Sequence, residues 1–366
     1  MSTNKNFNLS NAKKAKNDEF YTQYVDIEKE MQAYLDYDEN IFRNKTILLP
    51  CDDPEWSHYT KYFVQNFSRL GLKKLISTSY AYTSKQINSS YRPSLLEINS
   101  SNFNEQKSKT KGKIFTLVKE TNSKKIINFE DLKWHYMDGD GDFRSDEVKS
   151  LRDEADIIIT NPPFSLFREF ISWIISANKK FSIIGNMNAV TYKEVFPLIA
   201  KNKIWLGATI NSGDREFQVP NSYPLKAAGF RIDNEGNKYI RVKGVRWFTN
   251  LEHGRRHQPL QLMTLSDNIR FNKQIANKNA YEQYDNYKAI EIPKTNAIPS
   301  DYQGIMGVPI SFLDKYNPDQ FEILGMDFYI KEGILSNLAI KSWQGKYDRA
   351  YINGKRSYSR ILIKHK

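Results

Sequence analysis

Residues 155–160, Ala-Asp-Ile-Ile-Ile-Thr, run directly into Asn161-Pro162-Pro163-Phe164, and no other junction constrains the fold of this chain as tightly. A continuous apolar, β-branched run is what a central strand covered on both faces requires. The prolines then end the strand, because proline fixes φ and has no backbone N–H to give to a ladder. Residues 46–50 (TILLP), 73–77 (KKLIS) and 181–185 (FSIIG) read as further short buried strands. Between them, 56–70 and 164–177 carry apolar residues at helical spacing, with Tyr59, Phe63, Phe67 and Leu70 on one face of the first. Strands alternating with helices predict an α/β fold with a doubly wound sheet.

The remainder is read around that sheet. Residues 1–17 look like a flexible basic arm, and a helix is predicted within 18–37, where Tyr24, Ile27, Met31, Tyr34 and Leu35 recur on one face. The Lys/Ser/Asn-rich stretch that runs to about residue 112 resembles an insertion, and 113–118 with 125–129 form a candidate hairpin. The sheet is assigned to 18–250. A second region, 251–366, is richer in turns, Tyr, Asn and basic residues. No internal repeat is present.

The formal net charge of +12 over 366 residues favours a polyanionic partner, since neutralising phosphates releases condensed counterions. A merely solubilising lysine surface is the plainer alternative. Cys51 is the sole cysteine, which excludes an intramolecular disulfide and a cysteine-rich zinc site and fits a reducing cytoplasm. The first 16 residues are polar, with no apolar core of a secretory signal, and no run reaches the roughly 18–20 apolar residues that span a bilayer. No membrane association is expected. The five histidines, His58, His135, His253, His257 and His365, show no metal-binding spacing, and no GxxxxGK phosphate loop occurs, so neither a metal nor an ATP-driven motor is expected.

In a doubly wound fold, ligands bind beyond the carboxyl ends of the strands, where Asn161-Pro162-Pro163-Phe164 falls. The tetrad suits one chemical problem. An aromatic amine is a poor nucleophile because its lone pair is delocalised, so a site that alkylates it must hold the amine out of conjugation with acceptors. The Asn161 side-chain oxygen and the Pro162 carbonyl can do this, and Phe164 offers a flat face for an extruded base. A tight turn closing a strand is the structural alternative. Similar tetrads serve methylation of adenine in DNA, adenine in RNA and glutamine in protein, so the four residues specify a planar amine-bearing group rather than a polymer.

Farther along, Arg241, Lys243, Arg246, Trp247 and Phe248, then Arg255, Arg256 and His257, interleave basic and aromatic side chains as phosphate contacts beside stacking groups would. Arg246, Arg255 and Arg256 are the candidate phosphate contacts. Trp247 or Phe248 would close on a flipped base opposite Phe164, the alternative being a core strand with an exposed basic flank. Residues 341–366 form a second basic, aromatic candidate, with RILIK at 360–364 reading as a strand rather than a solvated tail.

Several segments in order, DEFYTQYVDIE (18–28), CDDPEWSHYTKYF (51–63), GDGDFRSDE (139–147), NPPFSLFREF (161–170), VRWFTNLEH (245–253) and MGVPISFLDKYNPDQFEILG (306–325), resemble the EcoRI-type adenine-specific DNA methyltransferases. The resemblance implies a Rossmann-like, S-adenosylmethionine-dependent methyltransferase sheet with a C-terminal target-recognition region. It also implies methylation of N6 of an adenine flipped from double-stranded DNA, beside a cognate restriction endonuclease or as a solitary enzyme. A catalytically silent DNA-binding protein of the same fold is the alternative outside enzymes. By the same resemblance Phe20-Tyr21-Thr22 match the motif that contacts the methionine carboxylate, Asp52 or Asp53 the acid that pairs with its ammonium, and Asp142-Phe143 the pair that brackets the cofactor adenine. Two departures stand out. The loop after the first strand lacks a Gly-x-Gly turn, and Ser77-Thr78-Ser79-Tyr80 stands where an acid commonly binds the ribose, so a hydroxyl or a remote carboxylate must substitute. Asp138, Asp140 and Asp142 do not form a calcium loop, because Phe143 and Lys149 occupy the positions where an EF-hand needs Gly and Glu.

Overall fold

A computed structural model of the chain describes residues 21–54, 57–81, 100, 103–119, 131–210, 214–219, 229–276 and 280–366. The predicted basic arm, Phe20 and the 125–129 half of the predicted hairpin lie outside the described residues. The chain divides into two compact units, Met1–Val195 with Gly207–Glu252, and Phe196–Leu206 with His253–Lys366.

The first unit holds strands β1 (Thr46–Leu49), β2 (Lys74–Ser79), β3 (Lys113–Val118), β4 (Lys133–Tyr136), β5 (Ile157–Thr160), β6 (Lys180–Asn186), β7 (Asp214–Val219), β8 (Arg231–Ile232), β9 (Lys238–Lys243) and β10 (Val245–Thr249). Its main sheet runs β4-β3-β2-β1-β5-β6-β10. The core β2-β1-β5-β6 is parallel, whereas β3, β4 and β10 join antiparallel. All four residues of β1 and of β5 are buried, as strands covered on both faces must be. From β1 the chain builds outward to β2 on one side and later to β5 and β6 on the other. The strand order therefore reverses between β1 and β5 and opens a crevice at their carboxyl ends. Strand β3 pairs with β4 and β2 and so belongs to the main sheet. Strands β8, β9 and β7 form a separate antiparallel sheet.

Helices flank the main sheet, the longest among the described residues being the following. In α1 (Tyr24–Tyr37) the buried face is Ile27, Glu30, Met31 and Tyr34, an acid inside an apolar stripe. Helix α2 (His58–Gln65) starts at Ser57, whose hydroxyl accepts from the amides of Tyr59 (3.1 Å) and Thr60 (3.4 Å). It ends earlier than the 56–70 periodicity predicts. The Asn66 amide group donates to the Tyr62 carbonyl (2.9 Å), and a separate turn, Phe67–Leu70, follows. Helix α3 (Asp146–Glu154) is capped by Ser145, and α4 (Phe167–Ser176) buries Phe167, Phe170, Ile171, Trp173 and Ile174. A Cβ on Gly185 of β6 would stand 2.3 Å from the Phe167 ring, so only glycine lets the start of α4 press onto the sheet there.

The second unit contains β11 (Ile290–Glu291), β12 (Met306–Val308), β13 (Phe321–Met326) and β14 (Ile361–His365) in the order β11-β12-β14-β13. RILIK thus supplies an interior strand rather than a tail. Arg360 turns inward, where Glu291 receives its Nη2 at 2.6 Å and its Nε at 2.9 Å. Burial by itself would lower the Arg360 pKa, but the Glu291 carboxylate holds it well above the ordinary value.

Candidate active site

The crevice is built on Asp52, three residues beyond the end of β1. Its Oδ2 accepts from the Thr160 hydroxyl, on the last residue of β5, at 2.5 Å, and its Oδ1 from Ser57 at 2.8 Å. The Asp52 amide donates to the Thr78 carbonyl (3.1 Å), while its own carbonyl accepts from Thr60 (3.2 Å) and Ser77. At 5% exposure this side chain braces the loop after β1 against the end of β5. Asp53 is half-buried. Burial pushes the Asp52 carboxyl up to about 7, against the hydrogen bonds from Thr160 and Ser57, and the Asp53 charge adds to the rise.

That shift has a sign. Folding raises the Asp52 pKa above the ordinary 3.8, so the stability this group contributes is complete below about pH 4 and is lost as pH rises through about 7. Asp52→Asn is uncharged throughout and its amide can still meet the two rotatable hydroxyls. The unfolding midpoint of the parent protein is therefore expected to fall relative to Asp52→Asn between about pH 4 and pH 7 and to run parallel above that. Midpoint curves parallel across that window as well would show that the carboxylate titrates normally.

Tyr21 bridges to Gln218 of β7, its amide donating at 2.9 Å and its carbonyl accepting at 3.2 Å. Thr22 is buried, and its carbonyl lies 2.7 Å from His58 Nδ1 at the start of α2. The fold thereby brings Tyr21-Thr22 to the helix that follows the Asp52-Asp53 loop.

At the end of β2 two of the three small hydroxyls are engaged, Ser77 with the Asp52 carbonyl and Thr78 with the Pro50 carbonyl (2.8 Å). Carboxylates arrive from the 138–142 loop. Ala81 donates its amide to the Asp140 carbonyl (2.7 Å), and Tyr80 OH lies 3.5 Å from Asp142 Oδ2. Gly141, at φ +90°, makes this approach possible, since a Cβ there would stand 2.5 Å from the Ser79 carbonyl oxygen. Burial alone would raise the Asp142 carboxyl. Arg144, through its amide (2.8 Å), Nε (2.9 Å) and Nη2 (2.6 Å), instead holds it below the ordinary range. Phe143 is buried edge-on against Phe170 (5.0 Å) and Trp173 (5.7 Å) of α4.

Asn161-Pro162-Pro163-Phe164 follow β5 directly. Asn161, Pro163 and Phe164 are half-buried and Pro162 is buried. The Pro163 carbonyl accepts from Leu166 N–H (2.9 Å), starting a short 3₁₀ turn (Phe164–Leu166) that leads into α4 and seats Phe164 on the main core. The tetrad and Asp52 thus meet through Thr160 at the point where the strand order reverses.

The basic and aromatic candidates at 246–256 are placed differently from the sequence expectation. Every residue of β10 is buried because the strand is covered on both faces. Trp247 packs edge-on to Tyr59 of α2 (6.1 Å), and Phe248 packs on Phe167 of α4 (5.0 Å). Both are fully buried, so neither stands open to a flipped base and the core-strand alternative describes them. Arg246 is buried too, its Nη1 donating to the Val245 carbonyl (2.8 Å). In the second unit Arg256 is buried over the Trp205 ring (3.7 Å) and donates to Asn202 (2.9 Å), which leaves Arg255, half-exposed, as the accessible arginine of the pair.

One residue the functional motifs do not include also shapes the first unit. Glu30 of α1 is fully buried and accepts from Tyr34 OH (2.7 Å), the amides of Ala208 and Thr209 (both 2.9 Å) and the Thr209 hydroxyl (2.5 Å). Its signal in the sequence is a carboxylate on the apolar stripe of a helix. Among the described residues no group of three or more His, Cys, Asp or Glu side chains could hold a metal ion, and no helix is long and apolar enough to cross a membrane.

A mixed sheet with a reversing parallel core, a buried aspartate after β1 and Asn-Pro-Pro-Phe after β5 define a Rossmann-like methyltransferase. The family model described as adenine-specific methyltransferase EcoRI matches residues 8–366, and the chain belongs to that family. It is 43% identical to the type II methyltransferase M.EcoRI of Escherichia coli, over 98% of this chain and 96% of that protein. It is also 36% identical to the type II methyltransferase M.MgeORF184P of Mycoplasma genitalium, over 97% and 98% of the two chains. Identity to M.MpnI of Mycoplasma pneumoniae is 32%, over 98% of each. No solved structure matches the chain.

Proposed function

We propose that this protein transfers a methyl group to N6 of an adenine extruded from double-stranded DNA, with S-adenosylmethionine as donor. The observation that carries the reading is the Asn161–Phe164 tetrad at the end of β5, tied by Thr160 to Asp52 where the strand order reverses. When bound, S-adenosylmethionine supplies a methyl group already activated on a sulfonium. The protein's part is positioning. The Asn161 side-chain oxygen and the Pro162 carbonyl accept from the adenine amino group and turn its lone pair out of conjugation, while Phe164 stacks on the ring. Pro163 fixes the turn that presents them. Once the amine has attacked, its proton is acidic enough to leave without a dedicated strong base.

The donor set of the crevice fits the cofactor. Asp53 is the more accessible of the two loop carboxylates and is assigned to the methionine ammonium, with Asp52 positioning the loop. Phe20-Tyr21-Thr22 are assigned to the methionine carboxylate, Asp142 to the adenine amino group with Phe143 in the wall behind it, and Asp140 to the ribose in place of the acid missing after β2. Arg255 is the phosphate contact retained from the 246–256 segment, and residues of the second unit form the target-recognition region. A cytoplasmic protein working beside a cognate restriction endonuclease fits the type II relatives and the lone cysteine.

Single-molecule sequencing of DNA from cells expressing the protein, scored for N6-methyladenine in every context, tests the reading. One strongly methylated motif is the expected result. Unmodified adenine in DNA, with S-adenosylmethionine still bound by the purified protein, would overturn it in favour of an RNA or protein acceptor.

A further inference from the structure

The second unit carries a hairpin whose Ile352 packs on the core while its tip, 353–356, is exposed. Tyr351–Ile352 pairs antiparallel with Lys355–Arg356 across Asn353-Gly354, and both turn residues are left-handed, at φ +51° and +72°. That is the type I′ geometry whose twist matches a β-ribbon, and Asn-Gly is the dipeptide that adopts it most readily. The hairpin is clamped from below. The Asp285 carboxylate accepts from both turn amides, Asn353 (3.3 Å) and Gly354 (2.8 Å), and the Asp285 amide donates to the Tyr351 carbonyl (2.8 Å). Asp348 takes the Nε (3.1 Å) and Nη2 (2.5 Å) edge of Arg356 together with Tyr351 OH (3.2 Å). The Tyr351 ring also lies against Trp343 at 5.3 Å.

What this rigid frame presents outward is cationic and aromatic. Asn353, Gly354, Lys355 and Arg356 are all exposed, as are Lys341 and Lys346 earlier in the same segment. Tyr358, two residues past the hairpin, is 80% exposed, more than any other large apolar side chain described. An exposed tyrosine beside fixed positive charges gains nothing from burial in this unit. It would gain from a partner that offers both anions and flat rings or sugars.

We propose that this hairpin is a DNA-reading element that enters the major groove of the duplex, with Lys355 and Arg356 on phosphates and Tyr358 against sugar or base edges. The inference rests on the DNA substrate argued above. A two-stranded ribbon is of a size the major groove admits, and a guanidinium oriented by a carboxylate keeps its remaining N–H groups aimed at acceptors. The ion pair with Asp348 accordingly reads as orientation, in the way that bidentate pairing fixes geometry.

The test uses the full chain carrying Lys355→Ala with Tyr358→Ala, two exposed positions whose loss removes no core contact. Duplex binding is measured by fluorescence anisotropy at several salt concentrations, methylated contexts are profiled on a random-sequence library, and S-adenosylhomocysteine binding is measured by calorimetry. Duplex affinity is expected to fall about 10-fold, the slope of log affinity against log salt to shrink by about 1, and the spectrum of methylated contexts to broaden. Affinity for S-adenosylhomocysteine and the melting temperature are expected to stay as in the parent. Lys355→Glu, a reversal at the same exposed tip, should weaken duplex binding further. If affinity, salt slope and context spectrum all match the parent, or if the loss is confined to single-stranded RNA or to a protein ligand, the hairpin is not a DNA reader. A parent protein that binds duplex through the hairpin yet methylates no DNA would defeat the proposed reaction alone. Normal methylation with indifferent hairpin variants would defeat only this inference.

Discussion

Asn161→Ala is expected to lower turnover by roughly 10²- to 10³-fold, the scale on which one preorganised polar contact to a reacting group acts. S-adenosylhomocysteine affinity and duplex affinity should change little, because Asn161 follows the buried end of β5 without being part of the core. The physical reason is that an amine conjugated to the purine ring has little lone-pair density to offer. The asparagine oxygen acts only when the amine is turned to meet the methyl group, so its removal raises the barrier rather than weakening the ground-state complex. Single-turnover kinetics with saturating duplex and cofactor separate the two. Loss of binding in step with loss of rate would reassign Asn161 to the structure of the turn.

Glu30→Ala carries the largest expected effect on stability. Four donors converge on this fully buried carboxylate, two of them backbone amides of the half-buried residues Ala208 and Thr209. Truncation strips the acceptor from all four, which places the loss at about 3–5 kcal/mol. In a unit of this size the melting midpoint should fall by roughly 10 °C. Glu30→Gln keeps one acceptor oxygen and should lie between the two. A loss under about 1 kcal/mol, read from urea unfolding, would mean that the 207–209 turn finds other acceptors.

The strands that place the site could be read from local sequence because β1, β5 and β6 are runs of apolar residues whose burial on both faces leaves an unbroken signature. The tetrad could be read for the same reason, since it begins where the strongest such run ends. What failed depended on partners distant in sequence. Trp247 and Phe248 alternate with basic residues as a nucleic-acid surface would, and only the helices covering each face of β10 show them to be core. Asp52 and Asp53 are adjacent and chemically identical, and the contact that tells them apart comes from Thr160, 108 positions away. The acid missing after β2 has counterparts in Asp140 and Asp142, which reach that strand end only because Gly141 lets two backbones approach. Asn353-Gly354 carries a local signal that the reading of 341–366 passes over, since a type I′ turn is written in its own dipeptide.

The hydrogen bond between Thr160 and Asp52 joins the loop assigned to the methyl donor to the loop assigned to the acceptor base. Such a joint limits how the enzyme can vary. A substitution that reshapes the acceptor loop displaces the anchor of the donor loop as well, so neither natural drift nor a laboratory library can retune one side in isolation. Redirecting this scaffold to another amine is therefore a search over pairs of changes, and variants selected for a new acceptor should carry compensating replacements around Asp52 and Ser57.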